Sequence, residues 1–350
     1  MFDWRLKAAI FLLRAAASLL SAAAAPAWAQ EANLNDTDYH LGNGVQIGDT
    51  GLRVGGYATT SYDREDDSSP RLAIDNLSLF LWWEGEGRWK FFSELEYEDF
   101  LFTRERPSDQ PGYLSLERAY LDYALSDDTE IRAGKFLTPI GRWNLIHATP
   151  LVWTTSRPLV TSLAFPTNMT GLMVNGNLPD IGNGVQYSVY GASGDDLRPN
   201  PMVDPFTSAF GTHVTWTIVP GAQLGFSYAD FEQEKSRPER KQLAGVDFFW
   251  SRNRYEISAE AVYRFSDQGS LFDEKGAYIQ FVAPLSEKLY AVARYETYRL
   301  ARQGAPTQLR VTGLNYRINS ALVLKAEWVG SKHNTLDAPD GFLTSINVLF

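Results

Sequence analysis

Cysteine is absent from the 350 residues, which removes disulfide staples, thiolate zinc sites, iron–sulfur clusters and a cysteine nucleophile together. Positive charge is in the minority: 32 Lys plus Arg stand against 42 Asp plus Glu, a formal net charge of −10. A nucleic-acid partner is therefore not expected, because that binding needs clustered Lys and Arg facing phosphates. After the first 29 residues no window is apolar enough for a transmembrane helix, which needs about 20 nearly uncharged residues. What the chain holds in excess is aromatic: 10 Trp, 17 Tyr and 20 Phe, in a sequence whose mean hydropathy is only −0.26. So many rings in so polar a chain point to a use other than an ordinary core.

Residues 1–29 read as a secretory signal. Arg5 and Lys7 form a basic start, an apolar stretch runs from Ala8 to Ala25 with Arg14 inside it, and Ala27-Trp28-Ala29 is a small-x-small cleavage site. The mature chain is expected to begin at Gln30, and losing Arg5, Lys7, Arg14 and Asp3 with the leader takes its net charge to −12. Residues 30–51, with Asp36, Asp38 and His40, read as a periplasmic tail.

From 52 to 350 the chain alternates apolar and polar residues with period 2, in sixteen segments from 52–62 to 341–350. At 255–265, Tyr255, Ile257, Ala259, Ala261, Tyr263 and Phe265 share one face while Glu256, Ser258, Glu260 and Arg264 share the other. The connections alternate too. Those after even-numbered segments are tight, such as Val219 to Gly221 and Ser251 to Asn253; those after odd ones are longer and more polar. An even number of strands with turns at one end and loops at the other is the plan of a 16-stranded antiparallel transmembrane β-barrel, short periplasmic turns below and extracellular loops above. Outward aromatics gather where strands meet the short turns: Trp83, Trp89, Tyr123, Tyr187, Trp216, Trp250, Tyr255 and Tyr316. Amphipathic rings at that level suit a membrane interface.

The last segment places Phe342, Thr344, Ile346, Val348 and Phe350 on one parity and stops at Phe350. In this it resembles the outer-membrane porins, and the resemblance implies that Phe350 is the assembly signal read by the barrel-assembly machinery. The stretch Arg132-Ala133-Gly134-Lys135-Phe136-Leu137-Thr138-Pro139-Ile140-Gly141 is similar to the Gly-Lys/Arg-Phe-x-x-Pro-Phe-Gly run of the phosphate-selective porin O and P family. Gly313-Leu314-Asn315-Tyr316 resembles that family's Gly-x-Asn-Tyr/Trp strand. Ile140 stands where the family has Phe, and the lysine cluster of its phosphate site has no counterpart, so the resemblance implies a porin rather than a phosphate channel.

Sixteen strands leave an aqueous channel, whereas about eight are filled by their own side chains. The longest connection, Thr138 to Asn168, holds the third extracellular position, where general porins fold a loop into the bore. It carries Arg142, Arg157 and His147 and no acid. Strand parity turns Glu94, Glu96, Glu98, Asp122, Asp247, Glu256, Glu260, Glu296 and Glu327 inward with Lys90, Arg118, Arg132, Arg264, Arg294, Arg317 and Lys325. Glu94, Glu96 and Glu98 make a row of like charge that needs compensation. Two readings stand for Arg142 and Arg157: they face that row across a constriction and set up a transverse field, or they tie the loop to the wall.

The other candidates have bland readings. His213 shares the inward parity, and His333 with Asp337 sits in a loop, so no catalytic residue and no metal site is expected. The function expected is an outer-membrane porin passing small hydrophilic solutes or ions by passive diffusion, with no cofactor. Its partners would be outer-membrane lipid, lipopolysaccharide, the assembly machinery and, as in related porins, two further copies in a homotrimer. The rival readings are a sheath around a partner such as a multihaem electron carrier, and a barrel enzyme.

Overall fold

The computed structural model describes residues 39–40, 44–48, 50–65, 69–85, 87–103, 112–236 and 238–350. The proposed signal, most of the tail and the acidic pair Asp66 and Asp67 lie outside the described residues. Two short strands, β1 (Tyr39–His40) and β2 (Gly44–Ile47), precede the wall, and β2 pairs with its first strand through Val45↔Val54.

Sixteen strands then run in chain order. They are β3 (Leu52–Glu65), β4 (Arg71–Glu84), β5 (Trp89–Phe102), β6 (Tyr113–Ala124), β7 (Thr129–Leu137), β8 (Asn168–Leu178), β9 (Val185–Ser193) and β10 (Phe206–Val219). The second half comprises β11 (Ala222–Gln233), β12 (Arg240–Arg252), β13 (Tyr255–Ser266), β14 (Glu274–Pro284), β15 (Leu289–Arg299), β16 (Thr307–Arg317), β17 (Leu322–Lys332) and β18 (Gly341–Leu349). Every neighbour in sequence is an antiparallel neighbour in space, and β18 pairs back onto β3 from Gly341↔Glu65 to Leu349↔Tyr57. The sheet therefore closes and leaves no unpaired edge, the condition for a β-structure to sit in hydrocarbon.

Period-2 alternation becomes two surfaces. Leu79, Leu172, Phe210, Phe226, Ile279 and Trp328 stand exposed on the outside, while Ser78, Glu94, Asp247, Glu260, Glu296 and Glu327 are buried on the inside. A contiguous apolar outer band around a closed wall is a bilayer-facing surface. Of the rings near the short turns, Trp83, Trp89, Trp216, Tyr255 and Tyr316 are exposed. Tyr123 packs across the strand pair on Trp89 at 4.5 Å between centroids.

The seam is closed by a fit that periodicity does not announce. Backbone N–H of Phe350 donates to Gly56 O and that of Gly56 donates to Phe350 O, both at 2.9 Å. A Cβ on Gly56 would meet the Ser78 carbonyl oxygen at 2.0 Å and the Phe350 ring at 3.0 Å, so only glycine lets the C-terminal residue lie there.

Candidate functional site

Between β7 and β8 the long loop enters the bore. It carries a 3₁₀ turn at Trp143–Ile146 and a short helix, α1 (Leu159–Leu163). One apolar side of the loop, with Ile140, Val160 and Phe165, packs on inward-facing Phe231, Leu243, Tyr298, Leu309 and Val311, all buried. That continuous patch is why the loop folds inward: burying its apolar residues there removes both surfaces from water.

The wall's charged side chains then hold the loop's backbone. Glu260 Oε1 accepts the N–H of Arg142 at 3.1 Å and of Trp143 at 2.6 Å. Glu327 accepts those of Thr155 and Ser156 at 3.0 and 2.8 Å, and Glu296 that of Leu159 at 2.6 Å. The bases take the carbonyls: Lys325 Nζ donates to Thr149 O and Thr154 O, Arg294 Nη1 to Ser156 O, and Arg264 Nη1 to Ala164 O. An irregular segment buried in a barrel must pair its backbone, and ionised partners make strong hydrogen bonds. Inward charge on β13 to β17 is thus largely committed to the loop and not to a passing solute.

Each residue singled out from the sequence has a definite place. Glu94 is bonded to Arg118 at 2.5 Å and to Ser78; Glu96 accepts from the Tyr57 hydroxyl, and Glu98 from Tyr113 and Asn200. The acidic row thus finds its contacts on its own side of the barrel and on Asn200, and neither Arg142 nor Arg157 bonds to it. Arg142 reaches the opposite wall, donating to Gln223 Oε1 at 2.9 Å with its guanidinium 3.8 Å from the Phe249 ring centroid. Arg157 stacks on Trp143 and donates to Asn144 Oδ1 and to the Thr161 carbonyl and hydroxyl, and no carboxylate of the described residues pairs with it. Burial lowers Arg157 from 12.5 to about 10, still charged near neutrality. His147 lies beside them with Nδ1 at 3.0 Å from Asn144 O; burial, then Arg157 and Arg118, lower it from 6.5 to about 3. Arg132 forms a two-bond pair with Asp122 at 2.7 and 2.8 Å, and Arg294 pairs with Glu296 at 3.0 Å. Lys135, the other cation of the Arg132 to Gly141 motif, is fully buried against Asp196 at 2.7 Å.

One acid escapes parity. Glu117 points inward because β6 carries a register shift opposite Glu94 and Leu95, and a bulge moves the next residues to the other face. Its carboxylate lies with those of Glu96 and Glu98, donor atoms within 4.8 Å of one another, and it takes bonds from Ser115 and Asn168. His213 sits inward and buried, with Ser227 Oγ at 2.8 Å and Asp247 at 3.9 Å both on Nδ1. His213 Nε2 meets Thr215 Oγ1 at 2.9 Å, but Asp247 at 3.9 Å is beyond hydrogen-bonding distance of Nδ1, which is taken by Ser227 Oγ, and Ser227 Oγ also accepts the Gly141 N–H at 3.1 Å. His213 therefore braces the loop entry.

With one wall occupied, the open space lies on the β4 to β9 side. A cavity of about 380 Å³ is lined by Phe80, Trp82, Phe92, Arg118 and Tyr120 from the wall and by Ala148 and Leu151 from the loop. A second, of about 430 Å³ at the short-turn end, shares Lys90 and Asp122 with it and is lined by Glu130, Asn175 and Gln186. The first lies between loop and wall, and the second is lined by wall and turns alone.

No family model matches the chain. An uncharacterized protein of Aquifex aeolicus (strain VF5) is 33% identical over 119 residues, 33% of this chain, and the match spans about a quarter of that relative's length (27%). The fold is similar to that of Salmonella typhi OmpF in its complex with daunomycin, with a TM-score of 0.64 and 10% identity over 90% of this chain and 99% of that one. It is similar also to the trimer form of Vibrio cholerae OmpT (TM-score 0.60, 8% identity, 85% and 99% covered). An anion-selective porin from Comamonas acidovorans gives a TM-score of 0.58 at 12% identity, with 85% and 98% covered. At these identities the likeness is one of fold.

Proposed function

We propose that this chain is an outer-membrane porin of a Gram-negative bacterium, exported by a signal cleaved after Ala29, that conducts small hydrophilic solutes and ions by passive diffusion. The observation that carries the reading is a closed sixteen-stranded wall, apolar outside, whose third long loop is bonded inside the bore and leaves a cavity against β4 to β6. Selection is by size and charge where the loop faces β4 to β6. Arg142 and Arg157 supply positive charge at that level, His147 is neutral, and the paired groups Arg118, Arg132, Arg294, Glu94, Glu96, Glu98 and Glu296 form the lining and brace it. Phosphate is not proposed as the solute, because Arg132 and Lys135 of the motif are bound to carboxylates. A sheath around an electron carrier would need an open bore, and here the bore holds the loop. Phe350 is read as the assembly signal, and a homotrimer is the proposed assembly, as in the OmpT trimer form. Purified protein in planar bilayers tests the reading: stepwise ohmic conductance is expected, and bilayers that stay silent with folded protein overturn it.

A further inference from the structure

We infer that the cavity against β4 to β6 is a stacking subsite for neutral sugar rings, an inference that rests on the channel reading. The lining of a water-filled passage is expected to be polar, yet inward positions here bring Phe80, Trp82, Phe92 and Tyr120 into one cluster. Ring centroids lie 5.2 Å apart for Phe80 and Trp82, 5.6 Å for Trp82 and Phe92, and 5.5 Å for Phe92 and Tyr120. Phe80 and Phe92 are the buried base, while Trp82 and Tyr120 keep part of their surface open to the cavity of about 380 Å³. Across it the loop presents Ala148 and Leu151, the latter 51% exposed.

The charges around this surface are closed on themselves. Arg118 is bonded to Glu94 at 2.5 Å, Asp122 to Arg132 at 2.7 Å, and Lys90 lies 3.8 Å from Glu84. At Arg118 and Asp122 a charged solute meets a group whose charge is already balanced by its partner, so it gains little there over a neutral one. The Arg118 guanidinium is bonded to carboxylate through Nε, leaving its terminal N–H groups, and the exposed Glu84 and Lys90 side chains, to meet hydroxyls at the rim. A neutral aromatic compound dissolves in lipid and has no need of an aqueous bore. A sugar needs one, and offers the C–H face that aromatic rings pack against with the hydroxyls these rim groups bind.

Single channels of the full chain in KCl, titrated with glucose, maltose, open-chain sorbitol or benzyl alcohol, test the subsite. Glucose and maltose are expected to interrupt the current saturably, and sorbitol only through bulk viscosity. Trp82→Leu is expected to raise the half-saturating sugar concentration about tenfold, equivalent to about 1.4 kcal/mol, and Trp82→Phe to restore most of it. If Trp82→Leu yields no channels, Tyr120→Leu takes its place with the same expected direction. Sugars acting no differently from sorbitol, a leucine variant as sensitive as the parent, or benzyl alcohol outcompeting glucose each overturn the subsite while ordinary ion current leaves the channel reading standing. Absence of any ion current from folded protein overturns both.

Discussion

At Arg142 and Arg157 two cations are held by neutral acceptors and aromatic faces, whereas Arg118, Arg132, Arg264 and Arg294 each have a carboxylate within 3.0 Å. Charge that is paired on the spot has little reach, and at physiological salt the Debye length is about 8 Å, so unpaired cations close to the path, Arg142 and Arg157 among them, act most strongly on a passing ion. Changing both to Gln is expected to move the reversal potential towards cations in a salt gradient, although the chain as a whole carries a net charge of −10. An unmoved reversal potential would make both arginines anchors only. His147 bears on acid stability. Its folded pKa is about 3, against an ordinary 6.5, so the unfolded chain takes up a proton that the packed loop refuses. The stabilisation is complete above the ordinary value and is lost as pH falls from about 6.5 towards 3. His147→Asn is therefore expected to flatten the fall in melting temperature between about pH 7 and pH 4, measured by circular dichroism of the detergent-folded barrel. An unchanged acid slope would assign it to other groups.

The loop between β7 and β8 is the element on which the pore's shape depends. Glu256, Glu260, Glu296 and Glu327 give it acceptors while Arg264, Arg294 and Lys325 give it donors. Deleting about residues 145–160 removes the bulk that narrows the bore, takes the loop partners from three acids (Glu256, Glu296, Glu327) and two bases (Arg294, Lys325), and removes Arg157 as well. Larger conductance, passage of larger solutes in liposome swelling and a drift towards cation preference are expected together. Unchanged conductance with a folded barrel would mean that the ion path avoids the loop. The ends of the loop were legible from the sequence alone: the long connection read from Thr138 to Asn168 starts where β7 ends at Leu137 and runs to Asn168, the first residue of β8. Glu117 was not, because a bulge is a one-residue slip that leaves the composition of β6 unchanged while turning its earlier side chains, Ser115 and Glu117, to the other face.

For the whole molecule the decisive event is closure of β18 on β3. Every backbone group in the membrane must be paired, so the folded barrel is expected to resist detergent until boiled and to migrate differently before and after heating. Deleting Phe350 removes the two backbone hydrogen bonds to Gly56 and empties the space that glycine leaves for the ring. Less heat-modifiable protein in the outer membrane is expected, with export across the inner membrane intact. Normal levels of the folded truncated form would count against Phe350 as an assembly signal.

Strand number, the two faces of the wall and the alternation of turns with loops were determined by the sequence itself, because a period of two and the turn residues act over a few neighbouring positions. Only the tertiary structure decided which inward charges hold the loop, that Arg142 turns to β11 and β12 instead of the acidic row, and that the open cavity lies beside an aromatic wall. Those outcomes join residues such as Trp143 with Glu260 and Ser156 with Glu327, more than a hundred positions apart, so their meeting depends on barrel closure and the path of the loop, which no local pattern records.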